Sequence, residues 1–337
     1  MAGEVHPVPF RTRKLSPPAP MVLRRKSVGE QDVADQRGAF YVVSPSAAWR
    51  GRRAVFVGAG LFLWAQAFNS EGFLGLLSNI VDLLPRLFLT RQGFCLVKTV
   101  KNDAGALVRV MQIGGAYQSA TYVGSRRFEP VFSYFRGFDL AFVYCDERSR
   151  LLMIGGGGFA WPKHVLSSGV QVNSLDVVEF DPVITRVARS CFYLGEAERL
   201  MPGVLRVYDG DGRHFISRSQ KNSYDCVILD AFSGSRPVTS LATVECAFEL
   251  RKILAPSGAV LANVVSAEEG SDISFLRDFA ASLGVVFSNV YAELCEQDEF
   301  AVEDNYILVA TDSSYIPDDA LVFDADTFGT PVRDGDL

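Results

Sequence analysis

Residues 151–158 read Leu-Leu-Met-Ile-Gly-Gly-Gly-Gly, and residues 177–182 read Val-Val-Glu-Phe-Asp-Pro. The first stretch is an apolar strand running into four glycines, a turn in which backbone can approach a ligand where any Cβ would collide. The second is a strand whose last residue, Glu179, carries a carboxylate to the same edge, where it can accept two hydrogen bonds from a ribose. Taken singly, both have plainer explanations. Tight strand-to-helix turns use glycine for packing alone, and a terminal Glu can simply face water.

Working outward, the segments 150–154, 174–180, 204–209, 224–230, 259–265, 285–294 and 306–311 read as strands with helices between them. Near-continuous apolar strands alternating with helices imply a mostly parallel sheet covered on both faces, with ligands at the carboxyl ends of the strands. Two further acids then fall at strand ends. Asp211 lies between Gly210 and Gly212 after the third strand, free to meet an adenine amino group or to make an ordinary Asp-Gly turn. Asp230 closes the fourth strand in Leu229-Asp230-Ala231-Phe232. Asp181 precedes Pro182 and reads as a helix N-cap, a structural role.

Upstream, Phe94–Val100 and Leu107–Ile113 flank an Asn102-Asp103-Ala104-Gly105 turn and read as a hairpin, which Ala116–Val123 extends into a small antiparallel sheet. Residues 128–144 read as a linking helix. The expected organisation is a disordered basic tail (1–53), an apolar helical segment (54–93), a small β-domain with linking helix (94–149), a Rossmann-like domain (150–314) and a C-terminal tail (315–337).

The first 53 residues hold ten Lys or Arg against four Asp or Glu and are interrupted by Pro7, Pro9, Pro17, Pro18 and Pro20. Residues 54–68, AVFVGAGLFLWAQAF, are too short to span a bilayer before Gln66, Asn69 and Glu71 interrupt the run. Membrane-surface contact is the weaker alternative to a buried or amphipathic segment. The net charge of −6 argues against a nucleic-acid partner. Six cysteines without paired spacing point to reduced thiols and a cytoplasmic setting. With His6, His164 and His214 the only histidines, no metal site is expected.

The order of these motifs resembles the spermidine synthase family of aminopropyltransferases, whose core has the class I S-adenosylmethionine-dependent methyltransferase fold. The resemblance covers roughly residues 94–312. It rests on Ile154-Gly155-Gly156-Gly157, Glu179-Phe180-Asp181-Pro182, Gly210-Asp211-Gly212, Tyr224-Asp225-Cys226-Val227-Ile228-Leu229-Asp230 and Leu254-Ala255-Pro256-Ser257-Gly258. It implies a seven-stranded, mostly parallel sheet preceded by the small β-domain. It also implies S-adenosylmethionine or its decarboxylated form as co-substrate, held by Gly155, Gly156, Gly157, Glu179, Asp211 and Gln118. Asp230 would help deprotonate an attacking small-molecule amine, and the resemblance implies a homo-oligomer, a homodimer or a tetramer.

Three positions depart from the family pattern and bear on the amine pocket. Ser233 stands where a second aspartate holds the diamine, Phe128 where a tyrosine is expected, and Gly158 where an acid follows the glycine triplet. These changes look closer to a divergent bacterial branch of spermidine synthase-like proteins. They keep two alternatives open: methyl transfer to an unknown acceptor, and a catalytically silent nucleotide-binding module. A methyltransferase must satisfy the methionine carboxylate. Lys163 or His164 could supply that cation, or either could be a solvated helix residue.

Overall fold

The computed structural model describes residues 84–337 except 146–147, 234–235, 266–272, 297–299, 301–303 and 319, with backbone alone at 232, 233, 236 and 237. The expected basic tail, residues 54–83 of the apolar segment and the membrane-surface alternative therefore lie outside the described residues. No helix among the described residues is long and apolar enough to cross a membrane.

The small β-domain has four strands, in the order β1 (Arg86–Thr90), β2 (Gly93–Lys101), β3 (Leu107–Ile113) and β4 (Ala116–Tyr122), all antiparallel. The hairpin expected at Asn102–Gly105 is present. The β3–β4 turn uses Gly114 and Gly115, both with positive φ (60° and 89°), the pair of left-handed residues that a two-residue hairpin turn needs. The strand β1 corrects the helical expectation for 54–93. Pro85 stops the helical pattern, and from Arg86 the period becomes two: Leu87 and Leu89 point to solvent while Phe88 and Thr90 turn inward.

The linking segment is also not one helix. Residues Gly124–Arg126 and Phe138–Val143 form 3-10 turns around a single α-turn, α1 (Tyr134–Gly137). Pro130 cannot continue a helix from Phe128, and Gly137 is packed so closely on Ile307 that no side chain fits there.

Among the described residues the main sheet contains eight strands, where seven were expected. In chain order they are β5 (Arg150–Ile154), β6 (Ser174–Glu179), β7 (Leu205–Asp209), β8 (Tyr224–Leu229), β11 (Leu254–Val265), β12 (Asn289–Leu294), β13 (Asn305–Thr311) and β14 (Leu321–Val322). The spatial order is β14-β12-β13-β11-β8-β5-β6-β7, parallel from β11 to β7 and antiparallel through β13, β12 and β14. A small two-stranded ribbon, β9 (Phe232–Ser233) with β10 (Arg236–Pro237), follows β8.

Helices α2 (Ala160–Ser168), α3 (Pro182–Cys191), α4 (Leu194–Ala197), α5 (Gly212–Arg218), α6 (Val244–Ile253) and α7 (Ser274–Gly284) connect the strands. Alternate strand residues feed the two faces. Leu152, Ile154, Val227, Leu229 and Val260 join one core, and Leu151, Met153, Cys226, Ile228 and Leu261 join the other. Each such fully buried side chain contributes about 1.5–3 kcal/mol. All six cysteines are free thiols, and burial pushes Cys246 and Cys295 up to about 12.

The eighth strand lies within residues 315–337, the segment expected to be a tail. Val322 pairs with Tyr291, and Phe328 stacks on Phe323 against the core. The Val244 N–H donates to the Val332 carbonyl, and Arg213 binds Asp334 at 3.2 Å. A two-residue strand carries too little periodicity to stand out in a sequence.

Candidate active site

The carboxyl ends of β5, β6, β7 and β8 and the inner wall of β4 enclose a cavity of about 660 Å³. That volume suits a ligand of nucleotide size. Gly155, Gly156, Gly157, Glu179, Asp211, Asp230 and Gln118 all line it, so the sequence-derived candidates from five separate elements converge.

At the end of β5, Gly155 adopts φ 99° and its N–H donates to the Val178 carbonyl at 2.9 Å. A Cβ there would run into the Asp230 carbonyl, so the glycine turn and the catalytic candidate on β8 touch through backbone alone. The loop then folds onto Glu179. Its Oε2 accepts the N–H groups of Gly156 and Gly157, both at 2.9 Å, and its Oε1 accepts that of Asp181 at 3.0 Å. Burial raises the Glu179 carboxyl above the usual range, and these three donors oppose the shift. The Gly156 and Gly157 N–H groups are thus turned toward Glu179. A carboxylate has about four acceptor positions, so three donors leave capacity toward the cavity.

Asp181 is the N-cap of α3, as expected: its Oδ1 accepts from Val183 N–H at 2.8 Å. Its other oxygen accepts from Arg91 in the β1–β2 turn, which ties the small sheet to the large one. Asp211 caps α5, its Oδ1 accepting from His214 N–H at 2.7 Å, and it also lines the cavity.

Asp230 is the group with chemical potential. Its Oδ1 accepts from Asn263 Nδ2 at 2.9 Å, and Asn263 in turn accepts from Asn305 Nδ2 at 2.8 Å. The Tyr134 hydroxyl donates to its Oδ2 at 3.3 Å. Burial pushes Asp230 up to about 6, with the Asn263 and Tyr134 hydrogen bonds holding it from rising further. A carboxylate poised there is ionised at neutral pH yet basic enough to take a proton. Replacing Tyr134 with Phe should remove one of these two donors. The midpoint of the pH–rate profile then moves upward and kcat at pH 7 falls by less than about tenfold, which steady-state rates across pH 5–9 would check.

The structure places Phe128 apart from the other candidate residues. It lies outside the cavity lining, with its ring covered by the Arg127 guanidinium at 4.8 Å. Tyr134, six residues on, lines the cavity and reaches Asp230 with its hydroxyl. The side chain of Ser233 lies outside the described residues.

The two candidate cations also stand elsewhere. Lys163 is buried, its Nζ donating to Phe192 O at 2.7 Å and Thr121 Oγ1 at 3.2 Å. Arg109 donates to the neighbouring Cys191 carbonyl at 2.7 Å, so both cations cap the negative C-terminal end of α3. Burial, and then Arg109, lower Lys163 to about 7. His164 pairs with Asp139 at 3.5 Å on the α2 surface.

Sequence reading missed Tyr134, Asn263 and Asn305. Asn263 leaves one signal, a lone amide inside the apolar strand Leu261-Ala262-Asn263-Val264-Val265. Among the described residues, no group of three or more His, Cys, Asp or Glu side chains is placed to hold a metal ion.

Fold and cavity together define a Rossmann-like α/β protein of the class I methyltransferase type, carrying a four-stranded antiparallel sheet over the strand ends. No family model matches the chain. It is 30% identical over 155 residues to a polyamine aminopropyltransferase of Vibrio vulnificus, covering 45% of this chain and 50% of that protein. A polyamine aminopropyltransferase of Chromobacterium violaceum is 26% identical over 136 residues, covering 40% and 49%. The chain thus spans about half the length of the curated relatives it matches.

Among solved structures, a probable spermidine synthase from Corynebacterium glutamicum superposes with TM-score 0.61 at 18% identity, over 75% of this chain and 97% of that one. A spermidine synthase in complex with the transition state analogue AdoDATO superposes with TM-score 0.54 at 18% identity, over 68% and 74%. In fold the chain is similar to spermidine synthases, and over somewhat less than half its length its sequence is similar to polyamine aminopropyltransferases.

Proposed function

We propose that this protein transfers the aminopropyl group of decarboxylated S-adenosylmethionine to an amine acceptor. The observation that carries the reading is Asp230, held near 6 by burial and two donors, in one cavity with Glu179 and Asp211. Glu179 would take the ribose hydroxyls and Asp211 the adenine amino group, which sets the nucleoside across β6 and β7 and its sulfonium chain toward β5 and β8. The relatives' names and the AdoDATO complex of a spermidine synthase support the same reading.

The acceptor nitrogen attacks the methylene beside the sulfonium and a C–N bond forms. The C–S bond breaks with its electron pair going to sulfur, and methylthioadenosine leaves neutral at that atom. Before the attack the Asp230 carboxylate takes one proton from the acceptor's ammonium group, which frees the lone pair that forms the C–N bond, and the product nitrogen keeps the positive charge that leaves sulfur. The leaving group is already activated by its charge, so alignment and exclusion of water do most of the work. The aromatic wall of Tyr117, Phe132, Tyr134 and Phe300 would hold a cationic amine over ring faces beside Asp230.

The test is incubation of the full chain with decarboxylated S-adenosylmethionine and putrescine or spermidine. Release of methylthioadenosine with an acceptor heavier by one aminopropyl unit is the expected result. A methylated acceptor formed from S-adenosylmethionine would replace this reading with methyl transfer, and binding of nucleotide without any product would replace it with a silent module.

A further inference from the structure

Ser119 is 1% exposed, and its hydroxyl has no hydrogen-bond partner among the described residues. Leaving a hydroxyl unsatisfied inside a protein costs about 1–3 kcal/mol, so such a group calls for an explanation. Its position offers one. Ser119 lines the cavity, on the wall that β4 presents to the glycine loop.

The way β4 delivers it is unusual. Neighbouring residues of a regular strand face opposite sides, yet Gly115 to Ser119 line the cavity in an unbroken run. The β3–β4 register accounts for the last step of that run: Met111 pairs with Ser119 and Gln112 with Tyr117, so Gln118 is the extra residue of a β-bulge. Bulges re-aim side chains. Gly158, just past the three glycines that line the cavity, leaves room for this hydroxyl, because a Cβ there would collide with it and crowd Phe192. A glycine and a bulge together leave this hydroxyl against the loop at the start of α2.

We propose that Ser119 is a nucleotide-positioning residue, whose hydroxyl hydrogen-bonds the charged polar terminus of the sulfonium's side chain. The inference rests on the nucleotide reading above. In that reading the nucleoside lies over β6 and β7, so the chain is the part that reaches the β5–α2 loop opposite Ser119. Methylthioadenosine carries the nucleoside and sulfur but no such terminus, and it separates a contact to the chain from one to the nucleoside.

The experiment is calorimetry of the full chain and of Ser119→Ala with S-adenosylmethionine, its decarboxylated form and methylthioadenosine, with thermal melts of both free proteins. We expect Ser119→Ala to bind the chain-bearing nucleotide preferred by the unaltered protein about 5- to 30-fold more weakly, the size of one hydrogen bond to a charged group. Methylthioadenosine affinity should stay within about twofold, and the Tm of the free variant should not fall, since truncation removes an unsatisfied group.

A purely structural serine gives the opposite pattern, a lower Tm with unchanged affinities, and that result overturns the proposal. Equal losses for methylthioadenosine and the chain-bearing nucleotides overturn it as well, by moving the contact to the nucleoside. If the unaltered chain binds none of the three, the nucleotide reading itself falls and takes this one with it. Binding by the unaltered chain with no change in the variant sinks the Ser119 role alone.

Discussion

Replacing Asp230 with Asn should lower kcat by about 10²–10⁴-fold while leaving methylthioadenosine affinity within about threefold. The amide keeps the shape of the side chain and can turn its oxygen to Asn263 and its NH2 group to Tyr134, so the network around it survives. It cannot take a proton. In the unaltered protein, kcat/KM should fall as pH drops through about 6, because protonation of Asp230 removes the base.

The same shift has a consequence for stability with a definite sign. Asp230 is raised above its ordinary value of 3.8, so the folded protein favours the protonated form, and stability is lost as pH rises through about 6. Asn carries no such penalty. The variant should therefore melt higher than the parent above pH 6, by no more than about 3 kcal/mol, with the gap closing below about pH 4. A variant that keeps full turnover would remove Asp230 from the chemistry. One that loses turnover and melts lower would make it a structural residue.

The parallel sheet was legible because its strands are buried on both faces and so read as unbroken apolar runs; β5, β6 and β8 begin where the pattern begins. The acids at their ends were legible for the same reason, since the strand fixes where its last side chain emerges. What failed was of two kinds. Strand β1 was hidden in a leucine-rich stretch whose helical and extended spacings overlap until Pro85 breaks the tie, and β14 is too short to show a period. The partners of Asp230 were hidden because Tyr134, Asn263 and Asn305 lie 96 residues before it and 33 and 75 after it, and they meet only through the order of strands β8, β11 and β13. The linking segment gave Phe128, whereas Tyr134 is its residue that reaches Asp230, because a broken helix shifts which residue faces the sheet. Lys163 sits beside the glycine loop in sequence but is drawn the other way by the carbonyls at the end of α3.

Glu179 links legible and illegible parts of the site, and Glu179→Gln should produce the largest combined loss. Its two oxygens accept three backbone N–H groups, from Gly156, Gly157 and Asp181, so only donors face the side chain. Glutamine offers one oxygen, and its NH2 group must then point at a backbone donor with nothing to receive either. Leaving buried donors unmatched costs about 1–3 kcal/mol each, so urea unfolding should show a loss of about 2–4 kcal/mol. Nucleotide affinity should fall together with stability, by more than about 30-fold, because the glycine turn and the ribose acceptor depend on one carboxylate. Calorimetry with methylthioadenosine, well below the unfolding transition, separates the two effects. If binding is lost while stability is unchanged, the carboxylate serves the ligand alone and the loop holds its shape without it. If stability falls while binding persists, Glu179 shapes the loop and the nucleotide finds its ribose contact elsewhere.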